Sequence, residues 1–209
     1  MNRDQVWREI AAARLRLADL LDDLPAEDWE RPSLCAGWRV REVAAHLTLS
    51  PQTTLRTVLV EMARARGDFD KVVDVTARRQ AKLPTAEIVA QIRAFADSRR
   101  FAPGSGPVTT LMDVLTHTHD IMVPLNRTVP IPTDAARAAL AKAWSLAFVF
   151  GGRKRFRDLR LTATDSTWAV GTGKEVSGPT TALLLLVTGR QAALDRLSGD
   201  GVAVLKSRL

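Results

Sequence analysis

The stretch Leu111-Met-Asp-Val-Leu-Thr-His-Thr-His-Asp-Ile121 holds two of the chain's three histidines. Asp113 precedes His117 by four residues, so on a helix the two side chains stack on one face, as two ligands of one divalent ion would. His46, on a separate helical pattern, supplies a third donor. Imidazole and carboxylate suit zinc and similar ions, and three protein ligands leave a coordination position open. Taken alone, the spacing equally admits ordinary histidines satisfied by backbone or carboxylate partners. His119 lies about 200° around the helix from His117 and is left outside the ligand set. Asp120, three residues beyond His117, is placed either to orient that imidazole or as a solvent-facing charge.

Working outward, Val6, Ile10, Ala13, Leu17, Leu20 and Leu21 repeat at helical intervals and end before Pro25. A polar connector carrying Asp28-Trp29, Pro32-Ser33 and Gly37-Trp38 leads to a second helix through Val40, Val43, Ala44 and Leu47, which bears His46. Pro51 interrupts or restarts that helix, and Leu55, Val58, Leu59 and Met62 continue the stripe to a stop at Gly67. Phe69 to Lys82 reads as a short helix or irregular segment. Thr85 then caps a helix buried through Ile88, Val89, Ile92, Phe95 and Ala96. Ala102-Pro-Gly-Ser-Gly-Pro107 breaks regular structure, and Thr109 or Thr110 caps the helix of Asp113 and His117. Four principal antiparallel helices follow, a bundle over residues 1–126.

Character changes after Asn126. Val129-Pro-Ile-Pro-Thr133 is an extended linker, and Thr133-Asp134 opens a helix through Ala139, Leu140, Ala143, Trp144 and Ala147. Leu159–Ala163 and Thr167–Val170 alternate about the turn Thr164-Asp-Ser166 and predict a β-hairpin, with Glu175-Val176 as a further short strand. Gly178-Pro179 starts a helix ending near Gly189, and the tail from Gly201 is helical. Residues 133–209 thus form a small α+β domain, and the fold class is mainly α.

The net charge of +7 and pI near 10.4 favour anionic partners, but the arginines are scattered and read as solvated helix faces. The densest patch, Arg153-Lys-Arg-Phe-Arg157 with Arg160, reads as a solvated edge between helix and hairpin ahead of a nucleic-acid contact. Gly171-Thr-Gly-Lys-Glu175 lacks the residues of a phosphate loop and is a turn. A single cysteine, Cys35, excludes an intrachain disulfide and reads as a small hydrophobe. Glu42 reads as a surface charge in the first turn of its helix. No apolar run approaches the roughly 20 residues of a membrane span, and the N-terminus carries charges where a signal peptide needs apolar residues. The expected compartment is the cytoplasm.

Asp28-Trp29, Pro32-Ser-Leu-Cys-Ala-Gly-Trp-Arg-Val40, Val43 and His46-Leu47, followed by Leu111 to Ile121, resemble the mycothiol-dependent maleylpyruvate isomerase family, whose N-terminal domain is a DinB-like four-helix bundle. Gly178-Pro-Thr-Thr-Ala-Leu-Leu-Leu, Thr188-Gly-Arg190 and Leu197-Ser-Gly-Asp-Gly-Val202 are similar to its smaller C-terminal domain. The resemblance implies a divalent metal, usually zinc, held by His46, Asp113 and His117, with mycothiol as thiol cosubstrate. The family's isomerase carries Glu where this chain has Asp113, one methylene shorter. For Arg190 the resemblance implies a cation near the active-site mouth that holds an anionic substrate; the residue-level alternative is a charge at a helix C-terminus. With Asp120, Arg190 completes the expected catalytic groups.

The leading expectation is a metal-dependent enzyme that activates a low-molecular-weight thiol against a small electrophile, anionic or neutral, by isomerisation or S-transfer. The alternatives are a non-catalytic metal- or ligand-binding bundle and, behind it, a weak nucleic-acid binder.

Overall fold

A computed structural model describes residues 1–147 and 152–209; of Arg153, one of the basic patch, the side chain lies outside the described residues. The chain divides into two compact units, Asn2–Val129 and Pro130–Leu209.

The first unit is helical. Helix α1 (Arg3–Asp22) opens with a capping box between Asn2 and Gln5 and buries Val6, Ile10, Leu17 and Leu21, the stripe read from the sequence. Helices α2 (Val40–Leu49), α5 (Thr85–Ala94) and α6 (Pro107–Met122) complete a ring in which α1 and α2 each pack against both α5 and α6. Ile10, Leu17, Leu21, Ile88, Leu111, Leu115 and Ile121 are essentially inaccessible and fill its centre. Each such side chain contributes about 1.5–3 kcal/mol relative to exposure.

The ring is elaborated on the α2 side. Beyond Pro51 the chain restarts as α3 (Leu55–Arg64), where the Thr54 hydroxyl accepts from the Thr57 amide at 3.1 Å. Gly67, at φ +83°, stops it. The segment expected to be a short helix or irregular is a full helix, α4 (Phe69–Gln80), N-capped by Asp68 and packed on α2 and α3. Its only fully buried side chain is Ala77, so no strong apolar period marks it. The start of α6 also differs from expectation. Pro107 occupies the first turn, where its missing N–H is harmless, and the Thr110 hydroxyl donates back to the Gly106 carbonyl instead of capping.

In the second unit, α7 (Thr133–Ser145) packs against α9 (Thr180–Val187), with a single helical turn, α8 (Gly152–Arg155), between them in sequence. The strands β1 (Leu159–Ala163), β2 (Ala169–Gly171) and β3 (Lys174–Gly178) form a sheet of order β2-β1-β3, antiparallel on one side of β1 and parallel on the other. The glycine cluster is the turn expected, and it carries the chain across the start of β1. A Cβ at Gly171 or Gly173 would lie 2.3 Å from the Leu159 carbonyl oxygen or 2.2 Å from that of Asp158. The tail forms α10 (Val202–Lys206). Phe156, the aromatic of the basic patch, is buried against Trp144 at a ring separation of 5.7 Å and is withdrawn from any surface contact. Among the described residues, no helix is long and apolar enough to cross a membrane.

Candidate metal centre

Two helices of the bundle bring three side chains together. From α6, Asp113 and His117 project on one face, one turn apart; from α2, His46 meets them. Asp113 Oδ1 lies 3.4 Å from His117 Nε2 and 3.7 Å from His46 Nε2, and the three donor atoms fall within 4.8 Å of one another. Zinc bonds of 2.0–2.1 Å in a tetrahedral shell separate neighbouring ligand atoms by about 3.4 Å. The donor set therefore fits a divalent ion in chemistry and in spacing, and the shorter Asp113 side chain reaches its partners.

Charge is concentrated here. Burial alone would raise the Asp113 carboxyl, yet hydrogen bonding and charge from His117 and His46 hold it well below the usual carboxylate range. Burial opposes protonation of His117, but Asp113, Asp120 and Cys35 together carry its pKa well above the ordinary histidine value. The side chains of His46, Asp113 and His117 remain 19%, 30% and 15% accessible, so the set faces an opening.

The opposite side of His117 is closed. Its Nδ1 donates to Asp120 Oδ2 at 2.8 Å, so the ring is oriented with Nε2 towards Asp113. Asp120 is fully buried, so it is not the solvent-facing charge that was one of its two readings. Its Oδ2 also accepts from the Cys35 thiol at 3.1 Å, and its carbonyl accepts from the Leu34 amide at 3.0 Å. Cys35 thus has a part that its isolation in sequence concealed: its Sγ lies 3.6 Å from His117 Nδ1. Cys35, His117 and Asp120 form a second cluster of potential ligand atoms, sharing the imidazole with the first.

The connector before α2 explains this convergence. Pro32 and Arg39 pair as a β-bridge, the Ser33 hydroxyl donates to the Trp38 carbonyl at 2.8 Å and accepts from the Cys35 amide, and Gly37 takes φ +78° at the tip. The loop sets Cys35 beside α6 and Trp38 beside His46, with ring centroids 5.5 Å apart. Trp38 Nε1 donates to Asp74 of α4 at 2.8 Å. Glu42, read as a surface charge, is instead buried, because it closes the capping box of α2. It accepts from the Arg39 amide at 2.9 Å and from the Arg39 guanidinium. Burial would raise its pKa, but those bonds lower it. His119 points away from the set, with its Nδ1 donating to the Leu115 carbonyl at 2.9 Å. Arg14 of α1 was not singled out by sequence. It is buried, donates to the Phe95 and Ser98 carbonyls, and interacts electrostatically with Asp113.

Arg190 belongs to the second unit, where it follows α9 and its Nη1 donates to the Thr188 carbonyl at 2.6 Å.

Residues 10–119, which include all of this donor set, match the mycothiol maleylpyruvate isomerase N-terminal domain. The chain belongs to the mycothiol-dependent maleylpyruvate isomerase family. Two solved structures share its fold, both of the mycothiol-dependent maleylpyruvate isomerase, one of them a mutant. They align with TM-scores of 0.65 and, for the mutant, 0.64, over 96% of this chain and 93% of theirs. Identity is only 14% and 13%, so the likeness speaks for the fold. No curated protein matches the sequence.

Proposed function

We propose that the chain is a metal-dependent enzyme that activates a low-molecular-weight thiol, mycothiol by its family, for isomerisation of, or S-transfer to, a small electrophile. The observation that carries this reading is the convergence of His46 Nε2 and His117 Nε2 on Asp113 Oδ1, at 3.7 and 3.4 Å, beside a cavity. His46, Asp113 and His117 would hold the ion, and zinc suits their nitrogen and oxygen donors. A divalent ion bound there lowers the pKa of a coordinating thiol and so supplies thiolate at neutral pH.

The protein's own residues prepare that chemistry. Asp120 holds His117 in one tautomer and one orientation, and its negative charge makes the imidazole a better donor. Asp113 contributes a carboxylate already ionised far below neutral pH. His46, braced by Trp38, closes the set from α2. Arg190 enters through the family resemblance as the cation for an anionic group of the substrate.

Metal analysis tests the reading. Protein purified without chelator should hold about one zinc per chain. If a four-ligand zinc site is worth roughly 10–16 kcal/mol, removing one ligand in His46→Ala or His117→Ala should weaken binding by at least about a hundredfold. Wild-type protein that stays empty after zinc is supplied would sink the proposal. Zinc-replete protein that consumes no thiol with any electrophile would leave a binding module instead of an enzyme.

A further inference from the structure

The buried stripe of α1 contains one charge. Ile10, Ala13, Leu17, Ala18 and Leu21 are withdrawn from solvent, and Arg14 sits among them, four residues after Ile10 and four before Ala18, with only 3% of its surface accessible. A leucine or methionine at such a position would pack without the cost of stripping water from a guanidinium.

Arg14 is only partly satisfied. Its Nη1 donates to the Phe95 carbonyl at 2.9 Å and the Ser98 carbonyl at 3.1 Å, at and just beyond the C-terminal end of α5, where the helix dipole is negative. Its Nε and Nη2 are buried and make no hydrogen bond within the protein. The carboxylate whose charge reaches the guanidinium is Asp113, and that charge opposes the lowering of the Arg14 pKa by burial. Arginine stays protonated even so. A full positive charge is thus held in the interior beside the one anionic member of the metal set.

The other cations near the site differ. Arg79 and Arg64 share the buried Glu61, and their own side chains are 55% and 66% accessible, so solvent screens them. Arg14 is shielded from that screening. It does not line the cavity of about 670 Å³ onto which His46 and Asp113 open, so it meets no substrate there and can act only through Asp113.

We propose that Arg14 is a positioning residue that sets the strength of the metal centre through Asp113: its buried charge loosens the hold on a divalent ion and makes the bound ion more acidic towards a thiol. The proposal rests on the metal-dependent reading above and assigns this chain's control of it. A carboxylate that shares its charge with a guanidinium gives less to the ion on its other side. Asp120 pushes the opposite way, because its negative charge behind His117 strengthens that donor. The two groups would hold the centre between tight storage of the ion and loss of it.

Neutral replacements of Arg14 test this on the full chain, with folding checked by circular dichroism and zinc affinity measured by competition with a chelating dye at fixed pH. Arg14→Met should bind zinc roughly tenfold more tightly than wild type, because the doubly charged ion gains about twice what a competing proton gains when the cation is lost. Arg14→Gln should do the same, and it covers failure of Arg14→Met to fold, since its amide can keep a bond to an α5 carbonyl. Arg14→Lys retains the charge and should stay within about threefold of wild type. A merely structural arginine predicts weaker binding in every variant. In cobalt-loaded protein, the thiolate-to-metal absorption band formed with 2-mercaptoethanol should appear about half a pH unit higher in the neutral variants. Folded neutral variants that bind zinc no more tightly than wild type overturn this inference alone, as does Arg14→Lys tightening as much as they do, or an unmoved cobalt band. Wild-type protein that takes up neither zinc nor cobalt overturns this inference and the metal-dependent reading together.

Discussion

Helices α6 and α9 are both sunk into the interiors of their units, and they use that burial differently. Residues Ala182 to Val187 of α9 are almost wholly inaccessible and entirely apolar, so α9 presents no group able to coordinate or titrate there. Helix α6 buries Leu111, Leu115 and Ile121 just as deeply, but among them it carries Thr116, Thr118, His119 and Asp120. A buried polar side chain is stabilised by a partner, and apart from the Thr116 hydroxyl these groups find one. Asp120 holds His117, the Thr118 hydroxyl donates to the Val114 carbonyl, and His119 donates to the Leu115 carbonyl. Apolar burial in α9 contributes stability, and mixed burial in α6 contributes direction.

The contrast can be broken by substitution. The largest effect should come from Leu184→Ala in α9, where a cavity in a fully buried helix costs about 2–5 kcal/mol; chemical denaturation should register this loss while zinc affinity stays at the wild-type level. Asp120→Asn should do the reverse. It keeps the shape of α6 but removes the charge behind His117, and loss of such an outer partner lowers metal affinity by about 10–100-fold, measurable by competition with a chelating dye. If Leu184→Ala lowered zinc affinity as much as Asp120→Asn does, the division of labour would be wrong.

A smaller effect sits at the start of α9. Asp165 in the β1–β2 turn accepts from the Thr180 amide at 2.8 Å and from its hydroxyl. Burial pushes its pKa up, but these bonds bring it below the ordinary value. A carboxylate whose pKa is depressed by folding stabilises the native state above its unfolded pKa, and the gain is lost as pH falls through the folded value. Asp165→Ala should therefore cost about 1 kcal/mol near neutrality, and the difference from wild type should narrow in denaturation series as pH falls below the ordinary aspartate pKa of about 3.9. The smallest effect expected is for Cys35→Ser. The hydroxyl keeps the donor to Asp120, so zinc affinity should change by less than about threefold; a larger loss would make the sulfur itself a participant.

Legibility followed periodicity. Helices α1, α2, α5 and α6 were readable because each buries a continuous apolar stripe, whereas α4 was indistinct because it lies on the surface with one fully buried alanine. That Asp113 and His117 share one face of α6 is legible from their spacing of four. His46 joins that face from a second helix, and helix geometry alone turns His119 off it. What sequence could not convey was contact across the fold. Glu42 faces Arg39 in a capping box that has Arg at the cap, an unusual residue there. Cys35 meets α6 across a gap of 85 residues from Asp120, bridged only when the 33–38 loop is folded. Glu61 and Arg79 are 18 residues apart on different helices, and nothing in their local sequence marks them as one pair.

The packing of Trp38 on His46 gives the centre an optical voice of its own. An indole 5.5 Å from the imidazole lies well inside the range over which a bound paramagnetic ion or a change in ring charge alters emission. The other tryptophans of the chain supply a steady background against which that one ring can be isolated by difference. Titration of the set with a divalent ion, and exchange of one such ion for another, would thus be read in the unlabelled protein by light.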